Sequence, residues 1–144
     1  MAGNRLFVRR RDGRIEVRLN DAGRSFVRGV FAQVVTAERE PDHQWHASLH
    51  SPIDPSIDAD NPLSTLSRQS ETTTNAELAL VCVDEQFLTN AEAWAWLTSL
   101  QVALRSVAVS NGVLSDERLA EINADVRGEI ETLQLLLFSL AECL

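Results

Sequence analysis

Three histidines are all this chain has, and they fall within eight residues as His43-x-x-His46-x-x-x-His50. If Pro41 opens a helix there, a rotation of about 100° per residue brings the three imidazoles within an arc of about 60°. That spacing could place two or three ring nitrogens on one Zn²⁺ or Ni²⁺, with Asp42 or Asp54 nearby. No H-E-x-x-H and no cysteine pair supports such a site. The plainer expectation is a solvated loop in which the histidines lie close without a metal, and no cofactor is expected.

Other chemistry is thinner still. No G-x-S-x-G elbow occurs, and the six glycines are too scattered for a phosphate loop. Asp54, Asp58 and Asp60 lack the glycine and terminal glutamate of a calcium loop. Cys82 and Cys143 sit in the apolar runs LALVCVD and LAECL, which suits small buried hydrophobes in a reducing compartment. The expectation is therefore a protein that is not an enzyme.

Charge offers a different kind of site. All thirteen basic residues are arginine. Residues 1–28 carry +5 and residues 29–144 carry −13, for a net charge of −8. An acidic body of this size repels nucleic acid. The arginines belong to the first element that the sequence announces. Asp12-Gly13 is a two-residue hairpin signal, because glycine accepts the positive φ of a type I′ turn. Closing there pairs Leu6 with Leu19, Val8 with Val17 and Arg10 with Ile15. Leu6, Val8, Ile15, Val17 and Leu19 then share the packing face, while Phe7, Arg9, Arg11, Arg14, Glu16 and Arg18 share the other. Arg9, Arg11, Arg14 and Arg18 become a basic ribbon suited to an acidic protein partner.

The remaining elements must hold that ribbon. Asn20 is an N-cap, with Asp21 in the first turn, for a helix that ends at Glu38–Glu40 before Pro41. Phe26, Val27, Val30, Phe31, Val34 and Val35 form its apolar stripe. Residues 41–75 hold all four prolines and a Ser/Thr-rich stretch, and read as a long loop with a helical turn at Asn61-Pro62-Leu63. From Asn75 to Leu88 the period is ambiguous between helix and strand, and a helix is favoured. Thr89-x-x-Glu92 is a capping box that starts a helix through Ala93, Trp96, Leu97, Leu100, Ala103, Leu104, Val107 and Ala108, closed by Asn111-Gly112. Trp94 lies off that stripe; burial is its plain reading and partner contact the other. Ser115 caps a last stretch, Leu119 to Leu140, that Gly128 can divide in two. From Leu133 onward the apolar residues cover more than half the helix circumference, so this end is either central to the core or covered by a partner.

This order of elements resembles the actinobacterial DUF2017 family, whose proteins have no assigned activity. The pieces that carry the likeness are the Arg-rich hairpin, Asn61-Pro62-Leu63, the helix start Leu88-Thr89-Asn90-Ala91-Glu92-Ala93-Trp94-Ala95-Trp96-Leu97, and Leu140-Ala141-Glu142-Cys143-Leu144. Residues 41–60 have no counterpart in the family pattern. The family's genes often neighbour that of the Clp protease adaptor, which implies a role beside proteolysis by association alone.

Taken together, the expected fold is α+β and mainly α: an N-terminal β-hairpin followed by a bundle of about four to five helices. It forms one domain over 1–144, with a hairpin at 1–20, a helix at 21–40, a loop at 41–75 and the bundle at 76–144. No apolar leader or membrane-length run is seen, which points to the cytoplasm. The expected function is a non-enzymatic interaction or regulatory one, through Arg9, Arg11, Arg14, Arg18 and Trp94, with a homodimer through the C-terminal helix as one form. A metal-binding protein using His43, His46 and His50 is the alternative. A nucleic-acid-associated factor using the hairpin comes third.

Overall fold

A computed structural model describes residues 5–40, 42, 43, 45, 74–110 and 124–144. A mainly helical α+β arrangement runs through them. Strands β1 (Phe7–Arg9) and β2 (Ile15–Val17) lead into helix α1 (Asp21–Arg39). A short helix α2 (residues 74–81) precedes strand β3 (Phe87–Leu88), and helices α3 (Asn90–Ser110) and α4 (Ala124–Ala141) complete the order.

The hairpin forms where Gly13 predicts it, but one residue out of the expected register. Phe7 pairs with Val17, Val8 with Glu16 and Arg9 with Ile15. The loop is Arg11-Asp12-Gly13 rather than Asp12-Gly13 alone. Gly13 donates to the Arg10 carbonyl at 3.1 Å, Arg10 donates to Arg14 at 2.8 Å, and Gly13 has φ 88°. This is a type I turn followed by a left-handed residue, the usual three-residue hairpin connection. Strand side chains alternate, so the slip turns the first strand over. Phe7 is buried with Ile15 and Val17, whereas Val8 is only half-buried on the outer side beside Glu16. The gain is a large one, since a phenylalanine buries more apolar surface than a valine.

Helix α1 starts and ends as the sequence indicates. Asn20 Oδ1 accepts the Gly23 N–H at 2.8 Å, and Asp21 stands in the positive first turn. Its stripe of Val27, Val30, Phe31, Val34 and Val35 is buried, with Phe26 at the margin. The expected helix over 75–88 is shorter than predicted. After α2 the chain turns at 82–84 and enters β3, which pairs antiparallel with β2 through Ile15–Leu88 and Glu16–Phe87. The sheet order is therefore β1-β2-β3, with the last strand drawn from within the predicted helical region.

At α3 the capping box forms reciprocally. Thr89 Oγ1 accepts the Glu92 N–H at 3.2 Å, and Glu92 Oε1 accepts the Thr89 N–H at 2.8 Å. Trp96 is the centre of the core. Its ring meets Phe31 edge-on at 5.2 Å and Phe7 at 6.1 Å, and its Nε1–H donates to the buried Cys82 sulfur at 3.3 Å. Edge-to-face pairs of this kind add about 0.5–1.5 kcal/mol beyond burial. Ala93, Ala95, Ser99, Ala103 and Ser106 keep α3 narrow along its buried sides. Helix α4 packs on α3 through Ile130, Leu133, Leu136 and Leu140 and runs unbroken through Gly128. The Asn111-Gly112 and Ser115 caps, the Asn61-Pro62-Leu63 turn and the 41–75 loop lie outside the described residues, apart from Asp42, His43, Trp45 and the first residues of α2. No helix among the described residues is long and apolar enough to cross a membrane.

Candidate functional site

The corrected register divides the arginines expected to form one ribbon. Arg9 falls on the inner side, and its guanidinium reaches the Cys143 carbonyl at 3.2 Å, beyond the end of α4. A cation there meets the negative end of the helix. Arg10, Arg14 and Arg18 are on the outer side, and each is engaged. Glu16 accepts from Arg18 at 2.9 Å and lies 3.8 Å from Arg10. Arg14 pairs with Asp12 at 2.8 Å and covers the Phe87 ring at 4.7 Å. The Arg14 backbone N–H and guanidinium hold the Asp12 carboxyl below its ordinary value. Arg11 occupies the exposed turn, where it borders an open groove of about 490 Å³ with Arg9, Arg10 and Asp12.

Arginines of α1 tie that helix to the end of the hairpin and to the α2–β3 segment. Arg24 donates to the carbonyls of Val83 at 2.8 Å, Glu85 at 3.1 Å and Val17 at 3.4 Å. Arg28 pairs with Asp84, and Arg39 with Glu77 at 3.3 Å. The basic head is thus in large part the mortar of the fold.

Of the histidine cluster, His43 alone lies among the described residues. Its Nδ1 accepts the Trp45 N–H at 3.1 Å, and its ring stands edge-on to Trp45 at 5.6 Å. Trp45 is buried, a core residue that the proline-rich surroundings concealed from sequence reading. His46 and His50 lie outside the described residues. Among the described residues, no three His, Cys, Asp or Glu side chains are grouped to hold a metal ion.

Both thiols are raised above their ordinary pKa, chiefly by burial. Cys82 is enclosed beneath Trp96, and the half-buried Cys143 directs its sulfur to the Phe7 carbonyl at 3.4 Å. Such thiols are poor nucleophiles.

The apolar surface lies elsewhere. Trp96 is fully buried, but Trp94 is 49% exposed. On α4, Leu135 is 58% and Phe138 62% exposed. These two were not singled out in the sequence, although the excess apolar arc after Leu133 was their signal. Leu133, Leu136 and Leu140 fill the core side of that arc, and Leu135 and Phe138 stand opposite. Leu135 is a ridge between two grooves. One, about 300 Å³, is bordered by Arg5, Leu6, Ser139 and Glu142. The other, about 260 Å³, is bordered by Leu6, Leu19, Phe26 and Thr132.

No family model, no curated protein and no solved structure matches this chain.

Proposed function

We propose that this protein acts by binding another protein, in an interaction or regulatory role, rather than by catalysing a reaction. The observation that carries this reading is the pair Leu135 and Phe138, exposed together on the side of α4 that faces away from the core. Large apolar side chains grouped at the surface and flanked by grooves are the usual mark of a protein-binding patch. The arginine ribbon is a weaker basis for the same role, because most of its charge is already matched within the fold. Under the resemblance to the DUF2017 family, the setting would be the actinobacterial cytoplasm, beside Clp-type proteolysis.

The test is a Leu135→Ser, Phe138→Ser double variant. Both side chains are exposed, so its thermal melt should stay within about 0.5 kcal/mol of wild type. Affinity capture from the native cell, read by mass spectrometry, should lose the partners that wild type retains. Recovery of the same partners by both proteins would remove α4 from the reading.

A further inference from the structure

The exposed side of α4 is patterned as well as apolar. Glu131, Leu135, Phe138 and Glu142 recur at i, i+4, i+7 and i+11, which places them within an arc of about 60° at about 100° per residue. All four are exposed. Glu142 lies just past α4, but its N–H still bonds the Phe138 carbonyl at 3.1 Å, so the helical turn carries through. An acid therefore stands at each end of the apolar pair, the two about 16 Å apart along the axis. Arginines also lie about this surface. Arg18, beside one groove, is held by Glu16 at 2.9 Å. Arg5 borders the same groove as Glu142, and Arg127 stands one helical turn before Glu131 on α4, so each acid has one arginine near it.

We infer that this face takes an apolar segment of a different protein that carries Arg or Lys on either side of its apolar residues. The inference rests on the binding role proposed above and names its partner chemistry. A second copy is the competing occupant, and the charge pattern disfavours it. An antiparallel pairing that sets Leu135 against Phe138 of the other copy sets Glu131 against Glu142, twice. A parallel pairing that stacks like on like sets Glu131 against Glu131 and Glu142 against Glu142. Both directions place carboxylate on carboxylate, and each whole chain already carries a net charge of −8. A basic-flanked amphipathic segment meets the same four residues with opposite charge at each end, in the helix-in-groove manner.

Two labelled peptides of about 18 residues test this, each an amphipathic helix with one leucine face, flanked by arginine in one and by glutamate in the other. Fluorescence anisotropy should show the arginine peptide binding wild type at least about tenfold tighter, with the margin narrowing as salt rises. A Glu131→Arg, Glu142→Arg variant should reverse the preference. The Leu135→Ser, Phe138→Ser variant should bind neither peptide. Equal binding of the two peptides to wild type, or binding of neither, overturns the inference. So does light scattering that shows wild type self-associating through this face and the double serine variant monomeric. If captured partners are lost in the serine variant but kept in the charge-reversed one, the binding role stands and the basic partner falls.

Discussion

The hairpin and helix α4 are the two regions where side-chain chemistry concentrates, and the structure treats them in opposite ways. The hairpin has the denser charge, yet four of its arginines are already engaged: Arg9 at the Cys143 carbonyl, Arg10 and Arg18 about Glu16, Arg14 at Asp12 and over Phe87, while Arg11 stands in the exposed turn. Helix α4 has the less conspicuous sequence, a leucine-rich run, yet Leu135 and Phe138 are left without cover. Composition marks where side chains of a kind are abundant. Availability depends on what the fold has already set against them. A surface ion pair contributes only about 0–1 kcal/mol, but it still occupies the arginine's donors. A phenylalanine 62% exposed keeps more than half of its burial energy, which is about 1.5–3 kcal/mol in full, for a partner.

The sharpest way to break this comparison is within α4 itself. Leu140→Asp should cost about 4 kcal/mol or more and unfold much of the protein, because it places an unpaired charge in a fully enclosed site. Phe138→Asp, two residues away in sequence, should leave the melt within about 0.5 kcal/mol of wild type. Circular dichroism melts of the two variants check both. Equal loss in the two would mean that α4 has no free side.

The hairpin gives the next largest effect. Gly13→Val should destabilise by about 1–3 kcal/mol, because a β-branched residue is strained at φ 88°. Gly13→Asn should lose less, since asparagine visits the left-handed region more readily. Urea denaturation of the pair measures the difference, and an unchanged midpoint for valine would reject the three-residue turn.

The smallest effect concerns Asp12. Its carboxyl titrates below the ordinary range, so the turn is favoured at neutral pH and that advantage fades as acid protonates the group. The melt of Asp12→Asn should lie slightly below wild type at pH about 7, and the gap should close as pH falls past the ordinary carboxylate pKa of about 3.9 and through the lowered folded one. A gap that widens in acid would contradict the Asp12–Arg14 pairing.

Much of the helical frame was legible in the residues because its signals are local. The Asn20 cap closes on Gly23, and the Thr89–Glu92 box closes on itself, both within four residues. The stripe of α1 and the core stripe of α4 follow from a period that the backbone imposes on any apolar pattern. Trp94 and Trp96 show the limit of such reading: Trp96 fell on the apolar stripe and Trp94 off it, yet burial was the plain expectation for Trp94 as well, and packing leaves it 49% exposed.

What only the tertiary structure decided depends on residues far apart. Asp12-Gly13 is compatible with a two-residue or a three-residue loop, and local turn chemistry does not choose between them. The choice falls to Phe7, which gains a place against Trp96 in one register and faces outward in the other. Strand β3 is likewise invisible in Phe87-Leu88 alone, because two residues have no period. It exists because β2 presents Ile15 and Glu16 as partners more than seventy residues earlier. The same holds for α4, where the sequence by itself set an apolar arc wider than one core contact could use. Packing against α3 took Leu133, Leu136 and Leu140, and by geometry alone left Leu135 and Phe138 on the outside.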